Sequence, residues 1–238
     1  MKIGIFTDSH YCDAKSMDNT RRPYLSLGKI KEAMKAFADA KVDVCFCMGD
    51  LTDHAPGNTK KDVEKCFKEC VEVIKSFNLP FYFVPGNHDY MIMNHDEVEE
   101  ILGQTLPPKT VSFGKFDFIM LDANYRSNSL RFDQVEEHRW NDSNLPQWQV
   151  DFFEKALNDS NKDCIVFVHE NLDPSIPESH LVKNHVQIRD IINKSGKVKA
   201  VIQGHYHKGA ENVVDGIPYI TLSAMCEGEG NSFKILEF

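Results

Sequence analysis

Long apolar runs are absent from this sequence, and so is an excess of positive charge. No apolar stretch approaches the roughly 20 residues that a membrane-spanning helix requires. The first apolar run, residues 3–6, is shorter than the roughly 7–15 apolar residues of a signal peptide. The formal net charge is -9, so the chain as a whole does not attract nucleic-acid phosphates or anionic membrane surfaces. We therefore expect a protein without a membrane or nucleic-acid partner, in which any affinity for phosphate is local.

Paired cysteines are also missing. The seven cysteines are an odd number, and no two of them form a CxxC pair, so no disulfide framework is indicated. Cys45 and Cys47 alternate within an apolar segment, a pattern that favours buried packing over a reactive thiol pair. Unpaired cysteines fit a reducing compartment, and we predict a cytoplasmic protein.

No internal repeat, low-complexity tract or linker interrupts the 238 residues, whose 42% hydrophobic content suffices for the core of one domain spanning 1–238. Short apolar runs typical of strands alternate with segments of helical spacing at about 24–40, 59–77, 146–158 and 184–194. This alternation predicts the α/β class. Asp215-Gly216 lies between two β-rich segments and predicts a hairpin turn. The polar stretch 123–145 is predicted to be a long loop, with a lid as one interpretation.

Acidic, amide and imidazole side chains follow the predicted strands. Ligands of α/β proteins gather beyond the carboxyl ends of the strands, and five of the six apolar strands end in such residues: Asp8 and His10; Asp50; Asn87, His88 and Asp89; His169; His205 and His207. Each of these groups of residues, taken alone, would be ordinary in a turn after a strand. Together they place five of the ten histidines at strand ends, where a structural turn has no need of imidazole. The other five are interpreted as surface residues: His54, His95, His138, His180 and His185.

Imidazole nitrogen combined with carboxylate oxygen suits Mn, Fe, Zn or Co, and contains too much nitrogen for a dedicated Mg or Ca site. The set is too large for one ion. Two ions about 3.5–4 Å apart need a bridging ligand, and the Asp50 carboxylate can give one oxygen to each. We therefore predict that His205 and His207 belong to a site for two divalent metal ions.

The blocks "DSH", "GDLTD", "GNHD", the isolated His169 and "GHYH" resemble the calcineurin-like metallophosphoesterase superfamily, whose pattern is DxH, GD, GNH(D/E), H and GHxH. All five blocks occur in order between residues 8 and 207. The resemblance implies a four-layer α/β/β/α sandwich of two mixed β-sheets flanked by helices. It also implies a hydrolase of phosphoric esters that requires two divalent metal ions.

The resemblance assigns roles to individual residues. It implies that one metal is held by Asp8, His10, Asp50 and His207, and the other by Asp50, Asn87, His169 and His205. His88 would bind phosphate and protonate the leaving group, while Asp89 would orient its ring. Two divalent ions carry four positive charges, and Asp8, Asp50 and a bridging hydroxide together neutralise about three of them. The remaining charge is enough to attract a phosphate to an acidic protein. Glu170, beside His169, could reach a metal or a substrate hydroxyl, but the preferred interpretation is a solvent-facing loop residue.

Three segments reduce the range of possible substrates. "NTRRPYLSLGKIKEAMKAF", "LDANYRSNS" and "LPQWQVDFFEKAL" are similar to the branch that contains manganese-dependent ADP-ribose/CDP-alcohol diphosphatases and cyclic-nucleotide phosphodiesterases. The candidate ligands of a second phosphate are Arg21, Arg22 and Arg126, and those that could stack on a base are Tyr24, Tyr125 and Tyr206. Ordinary surface roles are the alternative for each of them.

We accordingly predict hydrolysis of phosphodiester or nucleoside-pyrophosphate bonds in a small, nucleotide-derived substrate. A phosphomonoesterase or protein phosphatase of the same superfamily is the alternative. A non-catalytic interaction scaffold is a further alternative, but a scaffold has no reason to retain both ligand sets together with His88.

Overall fold

The computed structural model describes residues 1–13, 20–136 and 139–238. Its strands are β1 (Lys2–Phe6), β2 (Val44–Cys47), β3 (Phe81–Phe83), β4 (Lys109–Phe113), β5 (Phe116–Met120), β6 (Asp163–Phe167), β7 (Val198–Gln203), β8 (Ala210–Val214), β9 (Ile217–Thr221) and β10 (Lys234–Glu237). Its α-helices are α1 (Ser26–Asp39), α2 (Lys60–Lys75), α3 (His95–Leu102), α4 (Gln147–Asp159) and α5 (His185–Ser195). The four helices expected from the sequence are confirmed, whereas α3 and β4 were not predicted.

Both sheets are mixed. The first has the strand order β10-β1-β2-β3 and the second β4-β5-β6-β7-β9-β8. In the first sheet β1, β2 and β3 are parallel and β10 is antiparallel to β1. In the second sheet β5, β6, β7 and β9 are parallel, and the edge strands β4 and β8 are antiparallel to their neighbours. The parallel strands of each sheet therefore end at a common edge, where ligand sites of α/β proteins form.

The two sheets pack face to face, with helices on their outer faces. Phe46 of the first sheet stacks on Phe167 of the second with ring centroids 4.1 Å apart, inside one buried cluster drawn from both sheets. Helices α1, α2 and α3 pack on the first sheet through a second cluster, and α4 and α5 cover the other sheet through a third. The predicted four-layer α/β/β/α sandwich is confirmed.

Local sequence signals explain several boundaries. Thr59 caps α2 in a capping box with Asp62, and Asn94 caps α3 in the same way with Glu97. The hairpin predicted at Asp215-Gly216 joins β8 to β9, with φ of 52° and 81° at the two turn residues.

The stretch 123–145 contains local structure among its described residues. Isolated bridges join Asn124 to Asn144 and Tyr125 to Arg131, and Phe132 is buried in a 3₁₀ turn. His138 lies outside the described residues. Within the described ranges, no helix has the length and apolarity needed to cross a membrane.

Candidate metal centre

The strand ends of both sheets meet and bring the predicted ligands together. Asp8 and His10 follow β1, Asp50 follows β2, and Asn87 follows β3, all in the first sheet. The second sheet contributes His169 after β6 and His205 and His207 after β7. Six of these seven side chains are buried, and His207 is partly exposed. The site therefore lies at the common carboxyl edge of the two sheets.

The Asp50 carboxylate lies between histidines from the two sheets. Its Oδ2 atom is 3.5 Å from His10 Nε2 and 3.4 Å from His169 Nε2, while Oδ1 accepts a hydrogen bond from the His88 backbone N–H at 2.8 Å. One oxygen is thus used by the protein and the other faces the histidines. The expectation that Asp50 gives one oxygen to each ion therefore does not match these contacts, and a bridge by this carboxylate would depend on Oδ2.

The two carboxylate oxygens of Asp8 also face different partners. Its Oδ2 accepts hydrogen bonds from the Thr7 hydroxyl at 2.6 Å and the His205 backbone N–H at 3.1 Å. Its Oδ1 is 3.5 Å from His207 Nε2 and 3.7 Å from His10 Nε2. Ligands bonded to one ion at about 2.0–2.2 Å lie at separations of roughly 3–3.5 Å from one another. These side chains are therefore spaced almost as ligands around common centres.

Four donor atoms test whether metal ions fit. Of the thirteen buried side-chain nitrogen and oxygen atoms without a hydrogen-bond partner among the described residues, four belong to predicted ligands: Asp8 Oδ1, Asn87 Oδ1, His169 Nε2 and His205 Nε2. Buried polar atoms without partners are costly, so such a group of them needs an explanation. These four atoms are carboxylate, amide and imidazole donors, which suit divalent transition metals. The donor set fits two such ions.

The outer ring nitrogens are fixed by hydrogen-bonding partners. His10 Nδ1 lies 3.1 Å from Asp53 Oδ2, His207 Nδ1 lies 2.7 Å from Glu227 Oε1, and His169 Nδ1 bonds the Met48 carbonyl. An Nδ1–H that donates to an oxygen leaves the Nε2 lone pair facing the site. Each of these rings is oriented as a metal ligand.

The electrostatics of the site favour cations. Burial alone would raise the pKa of the Asp8 carboxyl, but His169, His10 and His207 outweigh burial and hold that pKa well below its usual value. Burial would lower the pKa of His10, yet the carboxylates of Asp53 and Asp8 raise it to about 10. Ionised carboxylates that hold protons on nearby imidazoles can hold metal ions in their place. Burial lowers the pKa of His205 to about 3, which keeps this imidazole neutral and available as a ligand.

The backbone at the ligands is strained. Asp8, His10, Asp50 and His205 have φ values of 50°, 45°, 51° and 66°, in the left-handed region that residues other than glycine seldom adopt. Such strain persists where the surrounding structure enforces it, most often at functional sites.

Glycines make room for the donors. A Cβ on Gly204 would lie 2.2 Å from Thr7 Oγ1 and 2.9 Å from Asp8 Oδ2. A Cβ on Gly86 would lie 2.3 Å from Asp50 Oδ1. No other residue fits beside the two carboxylates at these positions without a shift.

A model of the family described as "Calcineurin-like phosphoesterase" matches residues 1–209. The chain belongs to this family. The predicted superfamily membership is thereby confirmed.

Individual relatives agree with the family match. A "Probable cyclic nucleotide phosphodiesterase" of Coxiella burnetii is 28% identical over 194 residues, which are 76% of this chain and 68% of that protein. A "3',5'-cyclic adenosine monophosphate phosphodiesterase" of Haemophilus influenzae is 23% identical over 234 residues, covering 95% of this chain and 77% of that protein. A dimetal phosphatase from Danio rerio has the same fold, with a TM-score of 0.83 at 16% identity over 99% of this chain and 91% of that one.

The structure corrects the role of Asp89 in this phosphoesterase. Its carboxylate accepts hydrogen bonds from the backbone N–H groups of Gly86, Asp50 and Leu51 at 2.8, 2.9 and 3.0 Å. It therefore holds together the two loops that carry Asp50 and His88. The expectation that Asp89 orients the His88 ring is wrong, because its oxygens are turned toward these backbone groups.

Asp53 has the role that was expected of Asp89. Its Oδ1 lies 2.9 Å from His88 Nδ1, and its Oδ2 lies 3.1 Å from His10 Nδ1 and 3.4 Å from Arg21 Nη1. Burial would raise the pKa of Asp53, but His10 and His88 outweigh it and lower the pKa. The signal was present in the sequence, since Asp53 is the last residue of the "GDLTD" block.

A cleft of about 450 Å³ opens over the predicted ligands, a size typical of small-molecule sites. Of the predicted substrate-binding residues, Arg21 and Tyr206 line it. Arg22 donates to the Arg21 carbonyl at 3.0 Å, and Arg126 pairs with Asp142 at 3.3 Å.

Two predicted tyrosines are also away from this cleft. The Tyr125 ring is buried, packs edge-on against Trp148 at 5.9 Å and has its pKa raised to about 12 by burial. The suggestion that it could stack on a base is not supported, because the ring is buried and Tyr125 is not among the residues that line the cleft. Tyr24 is half exposed in a 3₁₀ turn at Pro23–Leu25, outside the residues that line the cleft.

Several residues near the site were misinterpreted or missed. Trp140, Pro177, His180 and Lys208 line the cleft, although His180 was taken for an ordinary surface histidine. Glu170 does not face solvent: it is fully buried, and burial raises its pKa to about 8.

Cys226 is a further neighbour that was missed. Its sulfur lies within 4.8 Å of donor atoms of His10 and His207. Burial raises the pKa of this thiol to about 12, so it stays protonated and is a weaker metal donor than the imidazoles.

Proposed function

We propose that this phosphoesterase hydrolyses phosphodiester or nucleoside-pyrophosphate bonds of a small, nucleotide-derived substrate with two divalent metal ions. The observation that carries the proposal is the set of buried donor atoms without hydrogen-bond partners, contributed by both sheets to one site. The names of its cyclic-nucleotide phosphodiesterase relatives support the substrate class.

The proposed ligand sets share Asp50. Asp8, His10, Asp50 and His207 would hold one ion, and Asp50, Asn87, His169 and His205 the other. When bound, two divalent ions supply Lewis-acid charge to a phosphoryl group and lower the pKa of water. The protein supplies the fixed carboxylate oxygens and neutral imidazoles that bind the ions. We propose Mn²⁺ first, with Fe, Zn or Co as alternatives, because the donors mix nitrogen with carboxylate oxygen.

We propose His88 as the general acid. Its Nδ1 is held by Asp53, and the ring lines the cleft beside Asp50 and Asn87. An imidazolium at this position can donate its Nε2 proton to the departing oxygen, and the Asp53 carboxylate balances its charge. Arg21, which also lines the cleft, can bind phosphate oxygens that do not react.

Cellular setting and domain organisation are part of the proposal. All seven cysteines are buried, and none of them forms a disulfide within the described residues, which supports a reducing compartment, and we propose the cytoplasm. We propose one domain over residues 1–238, because strand β10, near the end of the chain, pairs with β1 at its beginning. The net charge of -9 argues against a nucleic-acid partner.

The direct test couples metal analysis to a substrate panel. We expect two metal ions per chain, and a higher kcat/KM for a cyclic nucleotide, ADP-ribose or a CDP-alcohol than for a phosphopeptide. A phosphopeptide preference would favour the protein-phosphatase alternative. Metal-loaded protein inactive on every ester would favour the scaffold alternative.

A matched pair of arginine variants tests the cleft. Arg21→Ala should lower kcat/KM for the preferred ester by about 10- to 100-fold, since a hydrogen bond to a charged group is lost. Arg126→Ala should leave kcat/KM unchanged, because Arg126 pairs with Asp142 instead of lining the cleft. Equal losses in both variants would contradict the placement of the substrate.

A further inference from the structure

Aromatic rings cluster at one part of the metal-site cleft. The centroid of the His180 ring lies 5.2 Å from the ring centroid of Trp140, 5.3 Å from that of His205 and 5.1 Å from that of Tyr206. Trp140 also contacts His205 directly at 5.7 Å. We call Trp140, His180 and Tyr206 the aromatic wall. Through His205 it adjoins the proposed ligand set of one metal ion.

Trp140 keeps much of its surface in solvent. Its exposed fraction is 42%, although it packs against two histidine rings and lines a cleft. Indole contributes a large apolar area when it is covered, so an indole left open inside a concave site favours a ligand that covers it. A substrate consisting of phosphate alone would not need this surface.

The other lining residues differ in chemistry. Arg21 and His88 both contact Asp53 and provide charge and hydrogen bonds beside Asp50. The cleft therefore combines a polar part suited to phosphate with an aromatic part suited to a flat organic group. A phosphate ester with a planar ring attached through a sugar has both features.

We propose that the aromatic wall binds the nucleobase of the substrate, with Trp140 as the main contact. This inference rests on the proposed function and adds residues that determine specificity. Stacking of a base on an aromatic side chain is sequence-tolerant and contributes roughly 5- to 150-fold in affinity. The His180 ring contacts both the indole of Trp140 and the ring of Tyr206.

A quaternary ammonium group is the competing ligand, since aromatic cages also bind such cations. The charges around the cleft argue against it. Arg21 and Lys208 line the same cleft, and both side chains carry a positive charge. Positive side chains in the cleft repel an ammonium ion but do not hinder a neutral base.

Ligand binding tests the inference without catalysis. The chain has two tryptophans, so Trp148→Phe makes Trp140 the single indole reporter. Metal-loaded Trp148→Phe is titrated with AMP and with ribose 5-phosphate, which lacks the base. We expect AMP to quench the emission and to bind about 5- to 150-fold more tightly. In the matched variant Trp140→Phe, AMP should leave the Trp148 emission unchanged.

Two outcomes separate the inference from the proposed function. Equal affinities for AMP and ribose 5-phosphate would overturn the aromatic wall while leaving a phosphate site in place. Binding of neither ligand to the metal-loaded protein would overturn the phosphate site and the inference with it.

Kinetics distinguish base binding from support of His205. Trp140→Ala should lose about 5- to 150-fold in kcat/KM for a cyclic nucleotide and less than about 2-fold for glycerophosphocholine, a diester without a ring. Trp140→Phe should restore most of the loss, and Trp148→Ala should change neither substrate. Equal losses on both diesters would show that Trp140 only positions His205. A larger loss on glycerophosphocholine would identify the wall as a cation site, and either result overturns the proposal.

Discussion

At the scale of the residue, Asp50 is the side chain on which both proposed ligand sets depend. Asp50→Asn should loosen both metal ions and remove most activity, because an amide nitrogen would replace one carboxylate oxygen and one negative charge would be lost. We expect metal affinity to fall by at least about 100-fold, which metal analysis after dialysis measures. The exposed Asp39→Asn variant is the control. Two retained ions with near-normal turnover would refute the bridging role.

His88 is expected to act on the substrate rather than hold a metal. His88→Ala should keep both ions and slow turnover by roughly 10²–10⁴, the usual contribution of a general acid, with the largest effect on esters with poor leaving groups. His185→Ala, in helix α5, should have no effect. Loss of metal from His88→Ala would show that the residue is a ligand.

Asp117 gives a pH-dependent prediction away from the site. Burial would raise its pKa, but hydrogen bonds from the Ser112 and Ser160 hydroxyls at 2.6 Å each lower it. A carboxylate with a lowered folded pKa stabilises the fold above its unfolded value of about 3.9, and this stabilisation is lost as pH falls through the folded pKa.

Asp117→Asn should therefore reduce the free energy of unfolding by roughly 1–3 kcal/mol at pH 7, and by less as the solution is acidified below about pH 4. Urea unfolding at several pH values measures this difference. A difference that grows on acidification would contradict the assigned hydrogen bonds.

At the scale of the element, the end of strand β7 must approach β1 closely. Gly204→Ala should move the loop that carries His205 and His207, because its Cβ would meet Thr7 and Asp8. We expect loss of metal and of activity. Gly28→Ala is a matched control: nothing lies within 4 Å of that Cβ in helix α1. It should stabilise the protein by roughly 0.5–1 kcal/mol, since alanine favours helix. Metal analysis of both variants tests the expected loss of metal from Gly204→Ala, and thermal unfolding tests the expected stabilisation in Gly28→Ala.

The elements also differ in how far the sequence predicted them. Helix α2 has a long amphipathic stripe and a capping box, and its spacing alone located it. Helix α3 has only eight residues, too few for a clear period, although Asn94 and Glu97 form a capping box that could have indicated it. Strand β4 alternates partly buried and exposed residues at a sheet edge, so it lacks the apolar run of a central strand.

At the scale of the whole molecule, the site joins the two sheets. Asp8 and Asp50 come from the first sheet, and His169 and His205 from the second, so bound ions would hold the sheets together at one edge. Removing both ions with a chelator should lower Tm by roughly 10–20 °C if each is present at about 100 times its Kd. Adding Mn²⁺ should restore Tm, and Asp50→Asn should respond less. An unchanged Tm in the wild-type protein would argue against metal ions that link the sheets.

The sequence by itself determined the class of fold, the family and the set of proposed metal ligands. Each of these depends on local signals: strand-length apolar runs, helical spacing, and Asp, Asn and His immediately after strands. Parallel strands bring such positions to one edge whatever the details of packing, so spacing along the chain was sufficient.

Only the tertiary structure decided which side chains support the site. The partner of His88 is Asp53, 35 residues away, rather than the adjacent Asp89. Trp140 and His180 meet His205 from separate loops, and Glu170 is buried although its neighbours suggested a surface turn. These contacts depend on how two sheets and their loops approach each other in space. A hydrogen bond or ring contact requires a distance of a few ångströms, and the order of residues along the chain does not specify that distance between segments far apart in sequence.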